Sequence, residues 1–453
     1  MYNLLPNLSV IEASSFVASP TAGLYLAQMG AEVIRVDQIG GGPDFRRWPV
    51  TEAGDSLYWE NLNRAKKSVA LDLARPEGRE LLQALVRATG QFVTNFPVGG
   101  FLSHEVLAEG RADLVTVRVM GWADGSPALD YTVNNAVGYP MLTGTGPEPV
   151  NHVLPAWDLL TGAYAAFALL AAIQRRSATG EGGEVRLPLS DIAIGTVANL
   201  GGIAEVLYGG ANRPRLGNAV YGLFGRDFVT RDGQRTMIVV VTPRQWANLV
   251  AALGLGEAVA AVEAERGISF AKDDGLRFTH RDALYPLFEA AIGSRDHADL
   301  AAAFDAGGIV HSPYRTMLDA ANDPALVAHN PIFGAAENPS GFAYPAAGAF
   351  ATVPQLERQP PAPAPRNGQH SEEVLAERLS LPSGEIARLI DSRHRRQGES
   401  EMTAPTPFPR AKTRGSFERS EKLRRCCLDF ARHSPSSSLG EAGPVQNCFG
   451  EME

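Results

Sequence analysis

Asp158 stands alone as an acid between Pro155-Ala156-Trp157 and an uncharged run from Leu159 to Ile173. A carboxylate can serve as a covalent nucleophile toward an acyl group when it is ionised and sheltered from water. Pro155 disfavours helix just before this point, and Asp is a favoured N-cap, so the residues predict a helix that starts at Asp158. There the carboxylate would face unpaired N–H groups at the positive end of the helix dipole, which favours the charged form. Spacing alone does not separate a capping carboxylate from a nucleophilic one.

The helix that would position it carries Ala at six of the fifteen uncharged positions 159–173 and ends at Arg175 and Arg176. Such a segment is helical by propensity and apolar all round, so it is expected to be buried. Fifteen residues are short for a membrane span, and no membrane partner is expected. Around it the chain alternates strand and helix. Strands are expected at Leu8–Ala13, Ala31–Val36, Ser68–Leu73, Gln91–Asn95, Leu114–Val119 and Val185–Leu189. Helices are expected at Thr21–Met29, Pro76–Thr89 and Asp191–Leu207. This order predicts an α/β fold with a Rossmann-like, doubly wound, mostly parallel sheet. Gly40-Gly41-Gly42 is not a GxGxxG phosphate loop, so a nicotinamide site is excluded. Ligands of such sheets bind beyond the carboxyl ends of the strands. Val17, Ala18, Asn63, Lys66, Lys67, Asn95 and Phe96 fall there, and Lys66 and Lys67 are the basic candidates for phosphate.

Six segments in order resemble the class III CoA-transferase family. They are Leu8–Glu12, Gly23–Asp37, Asn63–Asp72, Asp158 with its helix, Thr179–Gly183 and Ala364–Leu375. The resemblance implies that residues 1 to about 210 form most of a large CoA-binding domain, that 220–325 form a smaller α+β domain, and that 326–392 return to the large one. It implies Asp158 as the catalytic nucleophile and Val17–Ala18, Asn63–Lys67 and Asn95–Phe96 as CoA-binding loops. Gln38 and Ser103 stand where relatives carry arginines, which puts individual CoA contacts in doubt. The finer resemblance of Gly40–Val50, Val150–Asp158 and Tyr221–Phe228 implies intramolecular movement of CoA between the two carboxyl groups of mesaconate (2-methylfumarate). Transfer to an external dicarboxylic acid is the alternative. CoA is then part of the substrate, and no prosthetic group is expected. A free carboxylate needs a cation, for which Arg46, Arg47, His152 and Arg226 are candidates, with the Asn151-His152 pair beside the nucleophile the preferred substrate contact. Loop N–H groups at Gly222–Gly225 are candidates for the oxyanion. Racemase-type relatives place a His before an Asp where this chain has Leu129-Asp130, so proton transfer at the α-carbon is not expected. An interlocked homodimer is implied by the resemblance alone.

Between the predicted domains, Tyr208–Gly217 is a turn-rich linker, and Phe228–Val241 reads as a hairpin around Asp232-Gly233. Helices are expected at Gln245–Leu253, Arg281–Ile292, His297–Ala306 and Ser371–Leu379, with Gly348–Val353 on the return path. With 453 residues, 45% of them hydrophobic, a net charge of -9 and a pI near 5.6, the chain has the composition of an ordinary soluble acidic protein. That charge argues against nucleic acid as a partner. No basic and apolar leader opens the chain, so the cytoplasm is the expected compartment. The three cysteines are Cys426, Cys427 and Cys448, and the nine histidines show no metal-site spacing, so no metal is expected. Residues 393–453 are rich in Pro, Ser, Arg and Glu and predict a disordered tail.

Overall fold

The computed structural model describes residues 1–388. The first half winds strand and helix alternately: β1 (Ser9–Ala13), α1 (Ala18–Gln28), β2 (Glu32–Gln38), α2 (Leu57–Leu62), β3 (Lys67–Leu71), α3 (Pro76–Thr89), β4 (Gln91–Thr94), α4 (His104–Ala108) and β5 (Val115–Met120). After α5 (Asp130–Ala136) and α6 (Ala156–Thr179), β6 (Gly183–Pro188) completes a sheet of order β3-β2-β1-β4-β5-β6. All five strand pairs are parallel. The near-continuous apolar strands Val10-Ile11 and Phe92-Val93 follow from burial on both faces. The expected α/β, Rossmann-like sheet is therefore present. Its strand order reverses between β1 and β4, which opens the crevice beyond their carboxyl ends.

The core on one side of the sheet joins Val10, Val33, Val93 and Val117 to Ala22 and Leu26 of α1 and to Ala165 and Leu169 of α6. The two helices touch closely because α6 has a glycine at the crossing. A Cβ on Gly162 would lie 2.6 Å from the Ala18 carbonyl oxygen. This contact brings the start of α1 against the first turns of α6.

Two expectations about α6 are corrected. The helix runs 24 residues, Ala156–Thr179, because Ala156 and Trp157 enter it ahead of Asp158. By length and mean hydropathy (1.6) it would suffice for a membrane span, so the argument from shortness fails. Nor is it buried all round. Ala165 and Leu169 are in the core, but Leu160, Tyr164, Phe167 and Leu170 form an exposed apolar face, with Phe167 62% exposed.

The single helix expected over Asp191–Leu207 is two helices, α7 (Leu189–Asn199) and α8 (Gly202–Gly209), bent by 62°. Gly201 at the break has φ +81, a conformation open to glycine. Beyond it, β7 (Phe224–Val229), β8 (Arg235–Val240) and β9 (Val310–Pro313) form an antiparallel sheet with its own aromatic core, including Phe224, Trp246 and Phe288. The return path contains the hairpin β10 (Phe333–Glu337) and β11 (Ala343–Ala347), which the residues did not announce, and Gly348–Val353 follows it without forming a strand. The helix Ser371–Leu379 lies where it was expected. Residues Met1–Ile386 form one compact unit. The predicted tail and all three cysteines lie outside the described residues.

Candidate active site

Asp158 is not the cap of its helix. The N-cap position is Pro155, which has no side chain able to cap. The acceptor comes instead from α5: Oδ2 of the buried Asp130 takes the main-chain N–H of Trp157 at 2.7 Å and of Asp158 at 3.1 Å. Oδ1 of the same carboxylate bonds His152 Nε2. One side chain thus neutralises the helix end and holds the strand of chain that leads into it. Trp157 Nε1 donates to Asn134 Oδ1 (3.0 Å), and Asn134 Nδ2 donates to Asn151 Oδ1 (2.6 Å). The Tyr131 ring meets the His152 ring edge-on at 5.7 Å.

With Asp130 as the cap, the Asp158 side chain is left free in the first turn. Burial, and after it the Asp130 charge, pushes its carboxyl up to about 7. This corrects the expectation that the helix end keeps Asp158 fully ionised: desolvation and a neighbouring carboxylate outweigh the dipole. At neutral pH the group stands between acid and nucleophilic base.

Tyr58, in α2, feels the charges of both Asp158 and the loop after β2. Burial raises the Tyr58 phenol well above its usual range, followed by Asp44, with Asp158 and Tyr131 adding to the shift and Arg47 opposing it. These groups therefore share one electrostatic neighbourhood. The Arg47 guanidinium lies 3.8 Å from the Phe16 ring centroid and 5.8 Å from that of Tyr58, and Nη2 bonds Asp44 at 3.0 Å. Phe16 has φ +67, a costly conformation for a bulky residue, held by its N–H on Asp44 Oδ2 (2.8 Å).

Behind these loops is a buried ionic knot. Arg35 bonds Glu12 (2.8 Å), Asp37 (2.8 Å), Asn63 (3.1 Å) and the Ser14 carbonyl (2.9 Å). Lys66 Nζ lies 2.8 Å from Glu12 Oε2 and donates to Asn63 Oδ1 and the Pro20 carbonyl. Gly23 of α1 makes room for the pair, since a Cβ there would meet Glu12 Oε2 at 1.9 Å. The knot fixes three loops around the crevice relative to one another.

The family model described as CoA-transferase family III matches residues 5–371. The chain belongs to CoA-transferase family III. It is 44% identical over 402 residues to 2-methylfumaryl-CoA isomerase of Chloroflexus aurantiacus, covering 86% of this chain and 97% of that protein. It is 27% identical over 390 residues to succinate–glutarate CoA-transferase of Agrobacterium fabrum, covering 82% and 95% respectively. Among solved structures, a CAIB/BAIF family protein from Brucella suis superposes with a TM-score of 0.68 at 26% identity, covering 83% of this chain and all of that one.

Members of this family act on CoA thioesters, and the structure assembles only some of the expected contacts. Val17 and Ala18 lie at the start of α1, beside Gly162 and so close to the head of α6. Asn95 exchanges two hydrogen bonds with the main chain of Ser15, stitching the β4 loop to the β1 loop across the switch point. Phe96 is half-buried beside it, and its carbonyl takes Arg118 Nη1. Asn63 is spent inside the ionic knot.

Lys66 is corrected as a phosphate contact. Its ammonium is fully buried, and desolvation pulls it down to about 8 although Glu12 opposes the fall. Lys67 sits on the outer strand β3, paired with Glu32 (2.9 Å) and Glu373 (2.6 Å), and so fastens the helix Ser371–Leu379. Both lysines hold protein together. Arg226 is also corrected: it pairs with Glu289 at 2.8 Å, lines a cavity whose lining does not include Asp158, and is absent from the groups around Asp158. Arg46 is exposed, and Ser103 caps α4 through Val106 N–H.

Asp130, Tyr58 and Phe16 are the residues that sequence reasoning missed. Asp130 had one legible signal, its place in the position next to Leu129 where relatives put acid–base groups. Leu129 leaves that position without a histidine, yet His152, 22 residues on, occupies the Asp130 carboxylate.

Proposed function

We propose that this protein moves CoA intramolecularly, converting 2-methylfumaryl-CoA into 3-methylfumaryl-CoA with Asp158 as the covalent nucleophile. The observation that carries the reading is the placement of Asp158. It is a half-buried carboxylate, not used as a cap, in the first turn of α6, where the helix comes close to the start of α1. The 44% identity to 2-methylfumaryl-CoA isomerase supports the choice of substrate.

In the reaction, the Asp158 carboxylate attacks the thioester carbonyl, the C–S bond breaks and CoA leaves as thiolate. The thiolate then attacks the Asp158 carbonyl of the mixed anhydride, which releases the diacid and leaves an aspartyl-CoA thioester. The other carboxylate of the diacid attacks this thioester and expels the thiolate. Attack of the thiolate on the new anhydride, at the C4 acyl carbon, restores Asp158. Atoms and charge return to their starting count, so the cycle needs no external acid.

The N–H groups at the start of α1 favour the oxyanions. Arg47, beside Tyr58, and His152, held on Asp130, serve the free carboxylate, with Asn134 anchoring the adjoining Asn151. The diacid must stay in place between steps, and holding it supplies the effective concentration for its return. We further propose a homodimer in which a second copy covers the exposed apolar face of α6, working in the cytoplasm.

Asp158→Ala is expected to abolish turnover while leaving CoA binding largely intact; a tenth or more of the activity remaining would contradict the covalent scheme. The second reading, transfer to an external diacid, is favoured by the relatives named as succinate–glutarate CoA-transferases. Labelled free mesaconate or succinate separates the two, because an intramolecular enzyme incorporates little of either.

A further inference from the structure

A cavity of about 610 Å³ lies at the start of the antiparallel sheet and is lined by residues of the 144–145 loop, the 215–219 linker, β7, β8 and the helix Arg281–Gly293. None of its residues belongs to the group around Asp158. In a chain of net charge -9, four arginines line it: Arg215, Arg226, Arg235 and Arg281.

Their charges are only partly answered. Arg235 pairs with Asp227, the one carboxylate in the lining, and Arg226 pairs with Glu289 behind it. Arg215 is fixed by main-chain carbonyls, among them Met141 and Glu148. Arg281 donates to the Phe278 carbonyl at 2.8 Å, and its guanidinium lies 4.4 Å from the Phe278 ring centroid. Carbonyls and rings orient a guanidinium without neutralising it, so two positive charges remain beside the cavity. The second observation is independent of charge. The hydroxyl of Tyr285, which also lines the cavity, is buried and has no hydrogen-bond partner among the described residues. A buried donor of this kind is costly unless something accepts from it. The Arg226 guanidinium lies 5.0 Å from the ring of the same tyrosine.

We propose that this cavity binds a small dianion, a dicarboxylate or a phosphate, against the unneutralised guanidinium groups of Arg281 and Arg215, with the Tyr285 hydroxyl donating to it. Planar guanidinium groups suit either anion, because both present paired oxygens at the spacing of the N–H fork. The volume lies in the range of small-molecule sites. None of the lining residues takes part in the reaction proposed above, so the proposal does not depend on it.

The test is calorimetric titration of the full-length protein with inorganic phosphate, with succinate and with CoA. Saturable binding of phosphate or succinate, one per chain, is expected; Arg281→Gln should weaken it about tenfold and Tyr285→Phe about threefold. Asp158→Ala should bind as the wild type does, which separates this site from the catalytic reading. Tighter binding of phosphate than of succinate assigns the site to a phosphoryl ligand, and the reverse assigns it to a diacid. Displacement of bound phosphate by CoA in Asp158→Ala assigns it to the phosphates of the thioester substrate. Tyr285→Phe removes one oxygen atom and keeps the ring, so it serves if the arginine variant fails to fold. No saturable binding up to about 10 mM, or wild-type affinity in folded Tyr285→Phe and Arg281→Gln, overturns the proposal.

Discussion

Replacing Asp130 with Asn removes a charge and keeps a side chain of the same shape. In the wild type the Asp158 carboxyl stands at about 7, raised first by burial and then by Asp130. Two unit charges about 6 Å apart repel by about 3 kcal/mol at an effective dielectric near 20. His152 on the same carboxylate and solvent at the mouth of the site reduce this, so about half remains, close to one pKa unit. A raised carboxyl is the weaker nucleophile below its pKa, so activity is expected to rise with pH through about 7 in the wild type. In Asp130→Asn the rise should move to about pH 6, and the ionised fraction at pH 6 should grow from about a tenth to about a half. Against this gain, the amide keeps one oxygen for the N–H groups of Trp157 and Asp158 but puts an NH2 where the second oxygen meets His152, and losing that acceptor should cost about 1 kcal/mol of stability. The assay is kcat/KM for acyl-CoA conversion measured from about pH 5 to 9, with urea denaturation alongside. An acid limb that stays in place or moves upward would show that Asp130 does not set the ionisation of Asp158, and the electrostatic part of the account would fail.

Three further outcomes follow from contacts away from the nucleophile. Gly162→Ala puts a Cβ 2.6 Å from the Ala18 carbonyl oxygen, so it should part α1 from α6, cost about 1–3 kcal/mol in urea denaturation and lower kcat; wild-type stability would refute the close crossing. Lys66→Met leaves Glu12 as a buried carboxylate with one partner fewer and is expected to cost about 3–5 kcal/mol. A folded, fully stable Lys66→Met enzyme with weakened CoA affinity would restore Lys66 as a phosphate contact. Phe167→Lys places a charge on the exposed face of α6 and should convert the proposed dimer to monomer in sedimentation; an unchanged dimer would move the proposed interface elsewhere.

The sheet was legible because its signals are local. Pro76 at the first turn and Gly90 in the left-handed conformation bound α3 just where the residues put it, and the apolar strands alternate with helices at short intervals. The nucleophile was legible as a residue, since a lone acid heading an apolar run is visible in one dimension. Its environment was not. The group that caps its helix lies 28 residues earlier in the chain, and burial of Asp158, with that carboxylate adding to it, reverses the expected direction of the pKa shift. Lys66 and Lys67 are adjacent in sequence and equally basic; that both are tied up within the protein depends on the knot around Arg35 and on Glu373, some 300 residues away. The break at Gly201 was missed because one glycine in an apolar run does not by itself distinguish a bend from a tolerated helical position. The exposed face of α6 could not be foreseen from composition, because an all-round apolar helix reads the same whether its outer side meets this chain or another.

The most direct test of the account is to quench the enzyme during turnover of 2-methylfumaryl-CoA and map covalent adducts by mass spectrometry of the tryptic peptide Val119–Arg175, which contains Asp158. The account predicts a CoA thioester or acyl adduct on Asp158, formed within one turnover and lost on treatment with hydroxylamine. An enzyme that turns over while that peptide stays unmodified at every quench time, or that carries the adduct on another residue, would contradict it.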